Sequence, residues 1–272
     1  MRERGYRRTS FPAFVIAVII SLPAWGQQKQ LLWQHPISPN AGESVQSIVY
    51  HITDIAASHT DAQDLAREFV FTNSIHGEGE PYEWDIPVVL DMLWDAYVND
   101  GPQPIIACGP RSLALQTIYD NLGYTSNQVS IFTDAGTDVA SHTFLEVYNP
   151  DTAEWQIQDP DFGVYYVLTA TGRRLPANEM IVTNLDDVTP MSPRGEGWWE
   201  NNVDHLRMMY FELAVYFPRK TTNSQQHWIY VNSMRFDLDK PFEDTGQTFR
   251  QYLADKYKGS RILLSTVMAA SN

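Results

Sequence analysis

The chain has 272 residues, 43% hydrophobic and 12% aromatic, enough for one large domain or two small ones with a substantial core. Its 19 Lys+Arg against 33 Asp+Glu give a formal net charge of -14 at pH 7, which disfavours nucleic acid and anionic lipid as partners. The single cysteine, Cys108, excludes an internal disulfide framework and any site built on paired cysteines.

The first 26 residues are expected to act as a targeting segment. Arg2, Arg4, Arg7 and Arg8 make a basic start, and Phe11 to Trp25 is almost wholly apolar but short for a bilayer span. Pro23, Ala24 and Gly26 resemble a cleavage region before Gln27, and an uncleaved anchor is the alternative. No cysteine lies nearby, so a lipoprotein anchor is excluded. This segment carries four of the basic residues and one acidic one, so the remainder is more acidic still. The expected destination is the periplasm or the extracellular space, with no stable membrane insertion after cleavage.

Residues 27–59 read as a helical lead-in. An irregular stretch with Pro36 and Pro39 precedes a helix through Val45, Ile48, Val49, Ile52 and Ile55. A second helix is predicted from near Asp61, through Leu65 and Phe69, until Gly77-Glu-Gly-Glu-Pro81 breaks the pattern. A third runs from about Ile86 to Val98, and Gly101-Pro-Gln-Pro104 is a loop. After Gly123 the texture changes to alternation: Val129–Thr133, Thr143–Val147, Trp155–Asp159 and Tyr165–Val167 read as strands. Helices followed by strands predict an α+β fold with an antiparallel sheet. Residues 60–170 would form the core. Residues 171–272 would extend it or form a small subdomain, with a helix over His205–Val215, a strand over Trp228–Phe236 and a helix over Phe249–Tyr257.

Chemistry concentrates in three places. Pro110 suits a first helical turn, Leu115, Ile118, Tyr119 and Leu122 recur with helical spacing, and Gly123 is a natural stop. Cys108 then lies at a helix N-terminus, where free N–H groups and the helix dipole stabilise negative charge. A buried inert cysteine is the competing reading. His142 follows on one strand and Asp159 on the next, joined by the turn Asn149-Pro-Asp-Thr152. Symmetric pairing about that turn would set Tyr148 opposite Ala153, Glu146 opposite Trp155 and His142 opposite Asp159, close enough for an imidazole–carboxylate hydrogen bond. The expected roles are nucleophile for Cys108, base and acid for His142, and ring orientation for Asp159. Attack on an amide or ester carbonyl would give a thioester, released by water or by an amine. The Cys108 N–H is the expected oxyanion donor, with Gln103, Trp84 and Trp94 as side-chain alternatives.

Cys108-Gly-Pro-Arg-Ser-Leu-Ala-Leu, His142-Thr-Phe-Leu-Glu-Val-Tyr and Trp155-Gln-Ile-Gln-Asp159-Pro together resemble the transglutaminase-like core over roughly residues 60–168. The resemblance implies a papain-like α+β fold and a Cys108, His142, Asp159 triad. It covers protein crosslinkers, peptidases, amidases and glycan-removing enzymes, and so implies a cysteine-dependent hydrolase or acyltransferase without fixing its substrate. Gly-Pro after the cysteine departs from the usual pattern. No cofactor or metal is expected, and the expected partner is a protein, peptide or glycoconjugate of the cell envelope. The alternative is a non-catalytic adaptor on the same fold that binds an envelope protein or glycan.

Weaker signals are read as structural. His76 with Glu78 and Glu80 lacks a metal-binding pattern and reads as loop charge. Asp161-Phe-Gly163 reads as a turn, Glu146 as support for the sheet, and Asp186-Asp187 as a solvated turn. Trp198, Trp199 and Trp228 read as packing rather than as sugar platforms.

Overall fold

A capping box sets the start of the second helix. Ser58 accepts the Asp61 N–H at 3.0 Å, while the Asp61 carboxylate reaches back to the Ala57 N–H at 2.9 Å. The helix therefore begins at His59, slightly earlier than its apolar stripe suggests. The computed structural model describes residues 43–132, 141–180, 183–192, 213–217, 228–232, 239, 241–242, 246–256 and 261–265. The targeting segment and the tryptophans at 198 and 199 lie outside them. Among the described residues no helix is long and apolar enough to cross a membrane.

Four helices lead: α1 (Glu43–Ile55), α2 (His59–Thr72), α3 (Ile86–Asn99) and α4 (Cys108–Asn121). Two short parallel strands, β1 (Ile75–His76) and β2 (Ile105–Ile106), tie the end of α2 to the start of α4. The strands then follow as predicted: β3 (Ser126–Phe132), β4 (Ser141–Asn149), β5 (Glu154–Gln158) and β6 (Tyr165–Leu168). Beyond them lie a short helix α5 (Ala177–Met180), β7 (Val188–Met191), β8 (Leu213–Phe217), β9 (Trp228–Asn232), β10 (Pro241–Phe242), β11 (Gln247–Thr248), α6 (Phe249–Lys256) and β12 (Arg261–Ser265). The class is α+β.

The main sheet has six strands in the order β12-β9-β8-β3-β4-β5. It is antiparallel as predicted, except that β12 runs parallel to β9 at one edge. β6 leaves the sheet and pairs with β7 instead. One expectation fails. Leu213 to Val215 do not continue a helix but lie in β8, beside β3, and the rest of that predicted helix lies outside the described residues. Leu213-Ala-Val-Tyr-Phe217 is a short, continuous apolar run, which periodicity alone does not separate from a helix segment.

α4 is the central element. Leu115, Ile118, Tyr119 and Leu122 are all essentially buried, each contributing about 1.5–3 kcal/mol by removal from water. The helix stops where Gly123 takes a left-handed φ of 81° that a side chain would resist. On the sheet, His142, Phe144 and Glu146 share one face of β4 and lie beside Ile131 and Val129 of β3. Phe144, Ile131, Val129 and Ile157 form a core cluster with Phe162, Val164, Tyr166, Leu175 and Met180, so the chain from 162 to 180 closes over that face.

Candidate active site

Cys108 is the first residue of α4, with Ala107 as the cap. Ala107 offers no side-chain acceptor to the opening turn, and Pro110 has no N–H to satisfy. The Cys108 and Gly109 N–H groups of that turn therefore have no capping side chain, and the thiol beside them is partly accessible. Two anchors fix the helix against the strands that carry the other site residues. Ser112 Oγ donates to the Thr143 carbonyl at 2.9 Å, next to His142, and Arg111 Nη1 donates to the Asp161 carbonyl at 2.9 Å.

His142 and Asp159 meet as the sequence suggests, but through a different register. Tyr148 lies opposite Trp155 and Glu146 opposite Ile157, two residues on from the expected pairing, and the ladder ends at Leu145–Gln158. The connecting turn is Pro150 to Ala153, closed by Ala153 in a left-handed φ of 56°. Asp151 holds it in place by accepting the Thr60 N–H at 3.0 Å at the start of α2. A shift of two preserves the face of every residue. His142 Nε2 therefore still reaches Asp159 Oδ2, at 2.7 Å, with Asp159 just past the end of β5 rather than directly opposite.

The Asp159 carboxylate is locked by its own chain. Oδ1 accepts the N–H groups of Asp161 at 3.0 Å and Phe162 at 3.2 Å, while Tyr166 approaches Oδ2 at 3.4 Å. Reciprocal backbone bonds between Asp159 and Val164 close the loop. The His142 ring is almost wholly buried, with the Phe162 ring centroid 4.6 Å away and that of Phe144 at 6.0 Å.

Burial disfavours charge on His142. The Asp159 carboxylate, the neighbouring Cys108 thiol and the nearby Asp161 outweigh that penalty and hold the imidazolium well above its usual range. With Nε2 engaged by Asp159, Nδ1 is the nitrogen left for the thiol. The arrangement can hold a charged imidazole between a carboxylate and a sulfur atom at a helix N-terminus, which is what a thiolate–imidazolium pair requires.

Three charged residues absent from the predicted site belong to its surroundings. Asp161, read from sequence as a turn residue, is buried, with Oδ1 accepting from His76 Nδ1 at 2.8 Å and from Arg111 Nη1 at 3.2 Å. The i+3 spacing from Cys108 to Arg111 is the one signal that could have flagged the arginine, since it puts both on one helical face. Nothing local flags His76, which is far from Asp161 in sequence. Its engagement with Asp161 leaves no role with Glu78 and Glu80, and no group of described residues could hold a metal ion.

The side-chain oxyanion alternatives have other partners, although the Trp84 ring lies against Gly109, beside Cys108. Gln103 Nε2 donates to the Thr72 carbonyl at 2.7 Å, and Trp84 Nε1 to the Glu83 carboxylate at 2.9 Å. Trp94 packs in an aromatic group with Phe69 and Tyr97. Backbone N–H groups at the start of α4 remain as donors. Glu146 supports the fold: it is buried and accepts the Ala177 N–H at 2.8 Å, anchoring α5. Asp186 and Asp187 sit exposed in a single helical turn.

No family model matches the chain, and no curated protein matches it. Among solved structures, it is similar to a protein from Parabacteroides distasonis assigned provisionally as a protease. The match covers 56% of this chain and 30% of that one, at 9% identity and a TM-score of 0.30. The chain thus spans under a third of the matched protein, and a likeness at this level carries no argument about either fold or activity.

Proposed function

We propose that the chain is an exported, transglutaminase-like cysteine enzyme that acts on an amide through Cys108, His142 and Asp159. One observation carries the reading: a buried imidazole 2.7 Å from a carboxylate, with the chain's single thiol close by at the start of α4. In the reaction the Cys108 sulfur attacks the substrate carbonyl carbon, the C–S bond forms, and the π pair moves to oxygen. Free N–H groups at the start of α4 stabilise that oxyanion. As the tetrahedral centre collapses, the C–N bond breaks and the His142 imidazolium gives its proton to the departing amine. The thioester is then attacked by water or a second amine, whose proton His142 accepts, and the thiolate leaves. Asp159 keeps the ring oriented and offsets its charge throughout. Water makes the enzyme a peptidase or amidase; an amine makes it a transamidase.

The test is mass spectrometry of the intact protein after incubation with envelope extract, read for an acyl adduct on Cys108. An adduct on wild type that is absent from Cys108→Ser is expected, with turnover of the released substrate falling at least about 1,000-fold in the variant. A Cys108→Ala strain with normal protein levels and an unchanged phenotype would instead favour a binding role and overturn the enzymatic reading.

A further inference from the structure

The proposed reaction uses Cys108, His142 and Asp159, and leaves unused a second set of charged groups against the same ring. Asp161 Oδ2 stands 3.9 Å from His142 Nδ1, too long for a hydrogen bond but close enough for opposite charges to act strongly in a buried site. This is the nitrogen that faces the thiol, so Asp161 and Asp159 bracket the imidazole from different sides. Three separate elements deliver the set: Arg111 from α4, one turn beyond the nucleophile; Asp161 from the turn after β5; and His76 from β1. The parallel pairing of β1 with β2 places His76 beside Ile106, two residues ahead of Cys108.

Of these three side chains, those of Arg111 and Asp161 are 2% and 4% exposed, whereas that of His76 is 56% exposed. His76 is thus the member of the set that meets solvent among the described residues.

We propose that Asp161 and His76 are positioning residues for the reactive pair: Asp161 helps hold His142 as the imidazolium, and the charge on His76 sets how much of that carboxylate is left for it. The inference rests on the reading of Cys108 and His142 as a reactive pair. Neither residue is assigned contact with substrate.

The charges facing the pair are Arg111, His76, Asp159 and Asp161. The bond from His76 raises the pH at which that histidine loses its proton, although burial and the cations of Arg111 and His142 oppose the rise. Asp161 is held below the usual carboxylate range: burial alone would raise it, but His76, His142 and Arg111 outweigh burial. Asp161 is thus a carboxylate across the working range, shared among three cations in acid and two once His76 is neutral. Removing its charge takes a partner from the imidazolium, which then loses its proton at lower pH. Removing the His76 cation in acid takes a positive charge from the neighbourhood of the reactive pair.

Alkylation of the full chain by iodoacetamide, followed from pH 4 to pH 10, reads Cys108 alone because the chain has no other cysteine. The wild type is expected to react in two pH steps, thiolate formation in acid and loss of the imidazolium proton in alkali. Asp161→Asn should move the alkaline step down by about one pH unit, and His76→Gln should move the acid step up by a smaller amount. Folded variants with both steps at the wild-type positions would overturn the inference even if their rates fell, because a merely structural role lowers the rate without moving its pH limits. Should Asp161→Asn fail to fold, His76→Gln decides alone, since its side chain is half exposed; an unmoved acid step overturns the inference. A wild-type profile with one step, at the free-thiol value of about 8.5, would overturn the reactive pair itself and the inference with it. The two failures are therefore distinguishable.

Discussion

Two buried polar networks join helices to the sheet, and they are built to opposite ends. Between α2 and β5, Arg67 donates to Gln158 at 2.7 Å and to Asp64 at 3.2 Å, and Gln158 donates back to Asp64 at 3.0 Å. Arg174 grips the same carboxylate with both terminal nitrogens, at 2.6 and 2.8 Å, while its guanidinium stacks 3.7 Å over the Tyr165 ring. Gln156 and Gln63 complete the row at 2.7 Å. Apart from Arg67 Nε, which is buried without a hydrogen-bond partner, its members bond one another. Between α4 and the turn after β5, the second network ends in a partly accessible thiol and a half-exposed histidine, with helix N–H groups that no capping side chain claims. A network whose members bond one another fixes geometry; one that ends at accessible groups leaves them free to meet a substrate. Buried charge alone therefore does not mark a reactive site, and the open end does.

The strongest way to break the comparison is Arg67→Met. It keeps the volume but removes the cation that Gln158, Glu68 and Asp64 share, leaving Asp64 with Arg174, and loss of one partner from a buried pair costs about 3–5 kcal/mol. The urea midpoint should fall accordingly, while the pH profile of Cys108 alkylation in the folded protein stays as in wild type. A shifted profile would mean that the two networks are one.

The proposed trio was legible because each member sits on or next to a periodic element: Cys108 ahead of a helical stripe, His142 and Asp159 at matching parity in neighbouring segments. Parity survives an error of two residues, so the pair was found although the register was not. The register itself was hidden because Ala153, not a glycine or asparagine, adopts the left-handed turn conformation, and because Asp151 is recruited by Thr60 of α2. Such long-range choices leave no local pattern. The same holds for Arg111 and His76, whose bonds to Asp161 span 50 and 85 residues. Asp161 was dismissed as a turn residue, correctly as backbone and wrongly as side chain. In the C-terminal third, a five-residue strand offered too few positions to separate period two from period 3.6.

Glu146 sharpens the contrast from a third direction, because its partners are the Ala177 N–H and the Asn127 side chain, both neutral. Burial raises its pKa to about 7, and those two hydrogen bonds only partly oppose the rise. A folded value above the unfolded one, near 4.5, means that the native state holds the extra proton between these limits. This group's contribution to stability is thus most favourable below about 4.5 and is lost as pH rises toward 7, a change on the order of 3 kcal/mol in total. Glu146→Gln keeps an acceptor for Ala177 and removes the penalty. The variant should gain stability over wild type at pH 8 and differ little near pH 5, measured by urea unfolding at both. Equal effects at the two pH values would show that the carboxylate stays neutral, or stays charged, throughout.

The smallest expected effect comes from the one residue that touches both networks. Gly163 ends the turn that carries Asp159 and Asp161, with a left-handed φ of 70°, and a Cβ there would lie 2.7 Å from the Phe71 ring on α2. Gly163→Ala must accept the strained backbone and push that ring, together about 1–2 kcal/mol. The strain has two outlets. If α2 yields, Phe71 moves and the cost appears only as stability, with alkylation of Cys108 unchanged. If the turn yields, Asp161 N–H and Phe162 N–H leave the Asp159 carboxylate, His142 loses its fixed partner, and alkylation in acid slows well beyond what the stability loss accounts for. The second outcome is expected. Phe71 stands on a helix anchored by the inner network, whereas the turn is held by the side chains of Arg111, His76 and His142 and by its own hydrogen bonds, and its network ends at accessible groups. Of the two networks, the open-ended one should deform first.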